Sequence, residues 1–181
     1  MDMTEKMIDR KVIFEGRIIN VYNDTVVLPN GKHSTREVVE HHGGVCVAAL
    51  TENNTLLFVR QFRYPYGRVL LELPAGKLEK GEEPLAAGMR ELEEECGVTA
   101  EKVIPMGEVY PTVAYCTEII HLYLANGIKK THQHLDEGEF LSVEEIELSK
   151  AVELVMNGEI TDSKTVALVL KTAKLLEEGK I

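Results

Sequence analysis

Gly76-Lys77-Leu78-Glu79-Lys80-Gly81-Glu82-Glu83-Pro84-Leu85-Ala86-Ala87-Gly88-Met89-Arg90-Glu91-Leu92-Glu93-Glu94-Glu95-Cys96-Gly97-Val98 is the most informative stretch of this chain. From Leu85 to Cys96 it reads as a helix, and Gly97 is a good residue to stop one. At about 100° per residue, Leu85, Met89, Leu92 and Cys96 fall on one apolar stripe, which predicts the core face. Glu91, Glu94 and Glu95 are expected on the other side, with Glu91 and Glu95 one turn apart. That pattern breaks local rules. Like charges at i, i+4 cost a few tenths of a kcal/mol. The last turn, where the helix dipole disfavours anions, carries three glutamates. Between Glu82 and Glu95 stand six acids and one base, Arg90. Several violated rules in one place point to function rather than to a solvated face. Hard oxygen ligands on one face suit Mg²⁺, which takes carboxylates, waters and substrate phosphates. Gly88, close to the Glu91/Glu95 side, is expected to let a loop backbone approach there.

Working outward, the first forty residues look β-rich. Lys11 to Asn23 is an alternating stretch, and Thr25 to Leu28 runs into Pro29-Asn30-Gly31, a strong hairpin turn. Glu37 to Glu40 is the expected return strand. Val45 to Leu50 and Leu56 to Gln61 read as strands joined by Glu52-Asn53-Asn54, and Val69 to Leu73 as another. Beyond the helix, strands are predicted near Val103–Tyr110, Glu118–Leu124 and Phe140–Val143. Two helices close the chain, near Ser149–Asn157 and Asp162–Glu178. Helices on both sides of a mixed sheet give an α/β/α sandwich.

The chain has 181 residues and a net charge of −10. Such acidity opposes a nucleic-acid backbone, so a phosphate-bearing substrate needs a cation or local arginines. No run reaches the roughly 18 apolar residues of a membrane helix. Residues 1–10 have no signal-peptide character. A cytoplasmic protein is therefore expected. Cys46, Cys96 and Cys116 form no CxxC pair and are expected as reduced thiols. His132 and His134 form an HxH pair with nothing nearby to complete a zinc site.

Residues 76–98 resemble the Nudix box, GX₅EX₇REUXEEXGU with U aliphatic, at every fixed position over 23 residues. The resemblance implies that Glu91, Glu94 and Glu95 hold a divalent metal, Mg²⁺ with Mn²⁺ able to replace it. Gly76, Glu82, Arg90 and Gly97 would shape the loop–helix–loop. The flanks Arg60-Gln61-Phe62-Arg63-Tyr64-Pro65, Leu71-Glu72-Leu73-Pro74-Ala75, Arg36-Glu37-Val38-Val39-Glu40-His41 and Ile160-Thr161-Asp162-Ser163-Lys164-Thr165 are similar to the ADP-ribose/ADP-sugar pyrophosphatase branch. That branch implies a metal contact from the Ala75 carbonyl. It also implies a homodimer, with a β-rich subdomain at 1–42 serving dimerisation and base binding and a Nudix hydrolase domain at 43–181. Pro111-Thr112-Val113-Ala114-Tyr115 stands where the branch often carries a Ser-Pro-Gly-Phe-like run, while Glu118 is retained as a substrate contact.

Arginines suit the diphosphate because a guanidinium fork matches its oxygens, and Arg36, Arg60 and Arg63 are the candidates, Arg68 ranking after them. Tyr22, Phe62, Tyr64, Tyr66 and Tyr115 are candidate base-stacking rings. In the resembling branch a mobile acidic loop supplies the base that activates water. Here that loop is Asp136-Glu137-Gly138-Glu139, with Glu139 and Glu137 sharing the assignment, Asp136 third, and Glu94 of the box as a further candidate. The implied reaction turns ADP-ribose into AMP and ribose 5-phosphate. GDP-mannose, another nucleotide sugar or an oxidised nucleotide stay open as substrates. A catalytically silent ligand-sensing module is the rival from another class.

Overall fold

The computed structural model describes residues 2–181, so Met1 of the expected N-terminal subdomain lies outside the described residues. The chain divides into two compact units. Residues up to Gly43 together with Tyr110–Ile119 make the smaller one, and Gly44–Val109 with Ile120–Ile181 the larger.

The smaller unit is a three-stranded antiparallel sheet, β1 (Lys6–Glu15), β2 (Ile19–Val27) and β3 (His33–His41), in that order. Its second turn is at Pro29-Asn30-Gly31, as the sequence predicts. Gly31 has φ +81° and donates its N–H to the Leu28 carbonyl. The first turn departs from expectation. The alternating run from Lys11 is broken at Gly16-Arg17-Ile18, and Asn23 lies inside β2. Thr25 therefore continues the same strand. Segment 110–119 is tied to β3 by Val39 N–H to Tyr115 O and Thr117 N–H to Val39 O.

The larger unit holds two sheets. One is mixed, ordered β7 (Ala75–Lys77), β4 (Gly44–Ala49), β9 (Ile120–Lys130), β8 (Val98–Val109), with β4 parallel to β9. The other is antiparallel, ordered β10 (Leu141–Glu147), β5 (Thr55–Arg63), β6 (Arg68–Glu72). The helices are α1 (Pro84–Cys96), α2 (Leu148–Met156) and α3 (Ser163–Glu177).

The two-residue period of a strand explains the layering. On β4, Val45, Val47 and Ala49 pack with Ala87 and Leu92 of α1, while Cys46, Ala48 and, just past the strand, Leu50 pack with Leu148 and Ala151 of α2 and Leu168 of α3. On β9, Tyr123 and Ala125 join the first cluster and Leu122 and Leu124 the second. A strand buried on both faces reads as an unbroken apolar run, which is how Val45–Leu50 appears in the sequence. The result is the expected α/β/α sandwich. Among the described residues, no helix is long and apolar enough to cross a membrane.

Candidate active site on the glutamate helix

Pro84 starts α1, where its missing N–H is no loss, and Gly97 ends it with φ +62° and an N–H to the Glu93 carbonyl at 2.8 Å. A side chain at Gly97 would also meet the Gln133 backbone nitrogen at 2.7 Å. The chain returns at that helix end. Thr131 N–H bonds Gly97 O, His134 N–H bonds Glu94 O, and the Gln133 side chain bonds Glu95 O at 2.6 Å. Carbonyls orphaned at a helix terminus are satisfied by the segment that leads into the acidic loop.

The predicted stripe holds at Leu92, Met89 and Cys96, which pack into the core, and fails at its first residue, while the buried face also takes in Glu95. Leu85 is exposed, whereas Glu95 is 2% exposed. The buried residues of α1 are Ala87, Gly88, Leu92 and Glu95. The reason is the neighbour: strand β7 and the turn before it lie over the last two turns of α1, so Glu95 points into a covered position. Its carboxylate accepts the Ala75 N–H at 3.0 Å. Burial, with the charges of Glu91 and Glu139 adding to it, raises its pKa to about 8 despite that hydrogen bond. Burial likewise raises Glu91, against the pull of Arg90.

The close backbone approach occurs at Gly76 rather than Gly88. A Cβ added at Gly88 would meet the Val47 and Tyr123 side chains at 3.3 and 3.4 Å, so no loop backbone lies against it. At Gly76 an added Cβ would sit 1.9 Å from the Glu91 carboxyl carbon, so only glycine lets the β7 backbone rest on that carboxylate.

Arg90 gathers the outer acids. Its Nε and Nη2 donate to the two Glu82 oxygens at 3.0 and 3.1 Å, and Nη1 donates to Glu91 and Glu94 at 2.9 and 2.8 Å. Glu82 also accepts the Glu79 N–H, fixing the loop that enters the helix. Among the described residues, no three His, Cys, Asp or Glu side chains converge into a ready coordination shell. The donor set nevertheless suits a hard divalent cation. The buried Glu95 carboxylate is held at high proton affinity, the half-buried Glu91 one turn away is shifted in the same direction, and the Ala75–Gly76 backbone meets the first through the Ala75 N–H and rests on the second at Gly76.

The acidic loop separates its two leading candidates. Glu139 is half-buried, accepts from the Gln61 side chain at 3.3 Å, and acts electrostatically on both Glu91 and Glu95. Glu137 and Asp136 are exposed. Glu139 N–H closes a turn onto Asp136 O, with Gly138 at φ +88° between Glu137 and Glu139. The sequence offered no signal for Gln61.

The arginines take different positions. Arg60 is paired with Glu144 across β5 and β10, on an exposed surface. Arg63 forks onto the buried Glu72 at 2.7 and 2.8 Å, which holds that carboxylate below its ordinary range although burial acts the other way. Arg68 reaches Thr161. Arg36 and Glu118 belong to the smaller unit, the first bonded to Glu5, Ser34 and the Thr35 carbonyl, the second 3.6 Å from His41 Nδ1. Glu72 went unsingled in the sequence, yet an acid inside Val69–Leu73 was a visible anomaly.

With this geometry in view, the comparisons are specific. A NUDIX domain model matches residues 40–168, and a model described as the nucleoside diphosphate sugar hydrolase N-terminal domain matches residues 5–39. The chain is 44% identical over 165 residues to an ADP-ribose pyrophosphatase of Bacillus subtilis, covering 90% of this chain and 89% of that protein. It is 42% identical over 167 residues to a methanol dehydrogenase activator of Bacillus methanolicus, covering 91% and 90%. A crystal structure of an ADP compounds hydrolase superposes with a TM-score of 0.86 over the whole of both chains at 17% identity, which establishes the shared fold. The intact box on α1 and a domain match across most of the sequence make this chain a member of the Nudix hydrolase family.

Proposed function

We propose that this chain hydrolyses the diphosphate bond of ADP-ribose, or of a closely related nucleoside diphosphate sugar, with Mg²⁺ as the working cation and Mn²⁺ able to replace it. The observation that carries the reading is the buried Glu95 and the half-buried Glu91 facing the Ala75–Gly76 backbone, with Glu139 acting on both. The similarity to the Bacillus subtilis pyrophosphatase over nearly all of both chains supports the substrate class. Glu91, Glu94, Glu95 and the Ala75 carbonyl would hold the cation. When bound, it supplies neutralisation of the diphosphate and acidification of a water. Glu139 takes the proton of the attacking water. Arg60, half-exposed, is free to leave Glu144 for a diphosphate oxygen. Arg63 keeps its fork on Glu72 and supports the site from beneath. Arg36 and Glu118 keep the substrate-binding role that the resemblance implies. One water adds across the bond, and AMP and ribose 5-phosphate leave.

The test is turnover against ADP-ribose, GDP-mannose, other nucleotide sugars and dinucleotides. AMP release from ADP-ribose is expected with Mg²⁺ and none with excess EDTA. Faster turnover of GDP-mannose would move the substrate assignment. Silence toward every compound with Mg²⁺ or Mn²⁺ would leave the ligand-sensing alternative standing.

The same reading includes a homodimer in the cytoplasm. Every residue of β1 is exposed in the single chain, Ile13 and Phe14 more than half so, and such an apolar surface calls for a cover. Three free thiols suit a reducing compartment. Light scattering at micromolar concentration should give twice the chain mass, and a monomer would contradict this part of the reading.

A further inference from the structure

The segment Asp162-Ser163-Lys164-Thr165 has no place in the chemistry above, yet it enters the core at the start of α3. Asp162 caps that helix, its Oδ2 accepting the Thr165 N–H at 3.1 Å and the Thr165 hydroxyl at 2.6 Å. The fully buried Thr165 hydroxyl in turn accepts the Leu73 N–H at 2.9 Å. Lys164, 9% exposed, donates to Asp162 at 2.8 Å and to Glu72 at 2.5 Å. Arg63 closes the other side of Glu72. Two consecutive residues, Glu72 and Leu73, are thereby fastened to α3, one through its side chain and one through its backbone. Two residues further on, the Ala75 N–H meets the buried Glu95 carboxylate. Two residues of chain reach at most about 7 Å in any conformation, so these fastenings hold the bend at Pro74 from both ends.

Burying a lysine and a glutamate is costly, and a hydrophobic pair of similar volume commonly serves stability as well or better. What the ionic arrangement adds here is position.

We propose that Lys164 and Thr165 are positioning residues that set the Leu73–Gly76 backbone against Glu95 and Glu91, and so fix the affinity of this face for its divalent cation. The proposal rests on the cation reading given under Proposed function. Neither residue touches substrate. They act through Glu72 and Leu73.

The test uses Mn²⁺ alone as probe, by electron paramagnetic resonance titration of the full chain without substrate, beside far-UV circular dichroism and thermal melts. Thr165→Val keeps the shape and removes the hydroxyl, Thr165→Ser keeps the hydroxyl, and Lys164→Met removes one ammonium while leaving the Thr165–Leu73 bond. Residues supporting a metal's ligands typically matter by about 10–100-fold in affinity. Thr165→Val and Lys164→Met, folded, are expected to bind Mn²⁺ roughly ten-fold or more weakly, and Thr165→Ser like the parent. Hydrolysis by the two weakened variants should recover at high metal, separating positioning from lost chemistry.

A folded Thr165→Val or Lys164→Met with parental Mn²⁺ affinity overturns the proposal. So does failure of both to fold, which makes the network a stability element. If one alone fails to fold, the other decides. A parent protein that binds no Mn²⁺ defeats the cation reading itself, a distinguishable result.

Discussion

Glu95→Gln is expected to lose about two orders of magnitude or more in turnover while making the metal-free protein more stable. The first half follows from removing a charge at a proposed ligand, where even supporting residues cost about 10–100-fold. The second half follows from burial. The Glu95 carboxyl rises from the ordinary 4.5 to about 8 in the fold. The folded state therefore binds this proton more tightly than the unfolded chain. Its contribution to stability is fully present below about pH 4.5, where both states are protonated, and is lost as pH climbs toward about 8. The glutamine cannot ionise, so its stability should not fall across that window. Above it, the variant gains on the order of a few kcal/mol in EDTA. Adding Mg²⁺ should reverse the ranking, because a cation that binds only the native parent stabilises it by mass action. Urea unfolding at pH 5 and pH 8, with and without metal, reads all of this. Parental turnover in Glu95→Gln would remove the metal assignment.

The second large effect belongs to the acidic loop. Glu139→Gln should lower kcat by about 10²–10⁴ with KM little changed, and Glu137→Gln should stay near the parent. A base that takes a proton from water contributes in the transition state and not to ground-state affinity, hence the expected split between kcat and KM. The choice between the two comes from their surroundings: Glu139 is half-buried, held by Gln61 and within electrostatic reach of Glu91 and Glu95, whereas Glu137 is exposed. Steady-state kinetics on both variants and the double variant decide it. If all three turn over normally at saturating Mg²⁺, the base lies elsewhere, with Glu94 next.

Much of this was legible in the sequence for identifiable reasons. The ends of α1 follow from Pro84, whose fixed φ suits a first turn, and from Gly97, which takes a left-handed φ of +62° without the penalty of a side chain. The sandwich follows from helical segments alternating with strands, and the unbroken apolar run at Val45–Leu50 fits a strand covered on both faces. The burial of Glu95 beside the apolar stripe of α1 was not legible. Helical periodicity says which residues share a face, and not how far a neighbouring strand wraps over its edge. Strand β7 is three residues long and made of Ala75, Gly76 and Lys77, which carry no β signature, so nothing announced that it would bury Glu95. Leu85 is exposed because it sits in the first turn, outside that wrap. The two loop acids could not be separated by pattern, since Gln61, the residue that marks Glu139, is 78 positions away along the chain. That Arg63 forks onto Glu72 was not legible either, because a guanidinium fits a diphosphate and a carboxylate equally well.

Arg90 has a consequence for how the protein is made. Crowded glutamates without a counter-charge would repel one another, at a few tenths of a kcal/mol per pair. Here the chain carries its own counter-charge, since one guanidinium already engages Glu82, Glu91 and Glu94. The metal-free chain is therefore expected to keep this helix, so that folding need not depend on the supply of divalent ions.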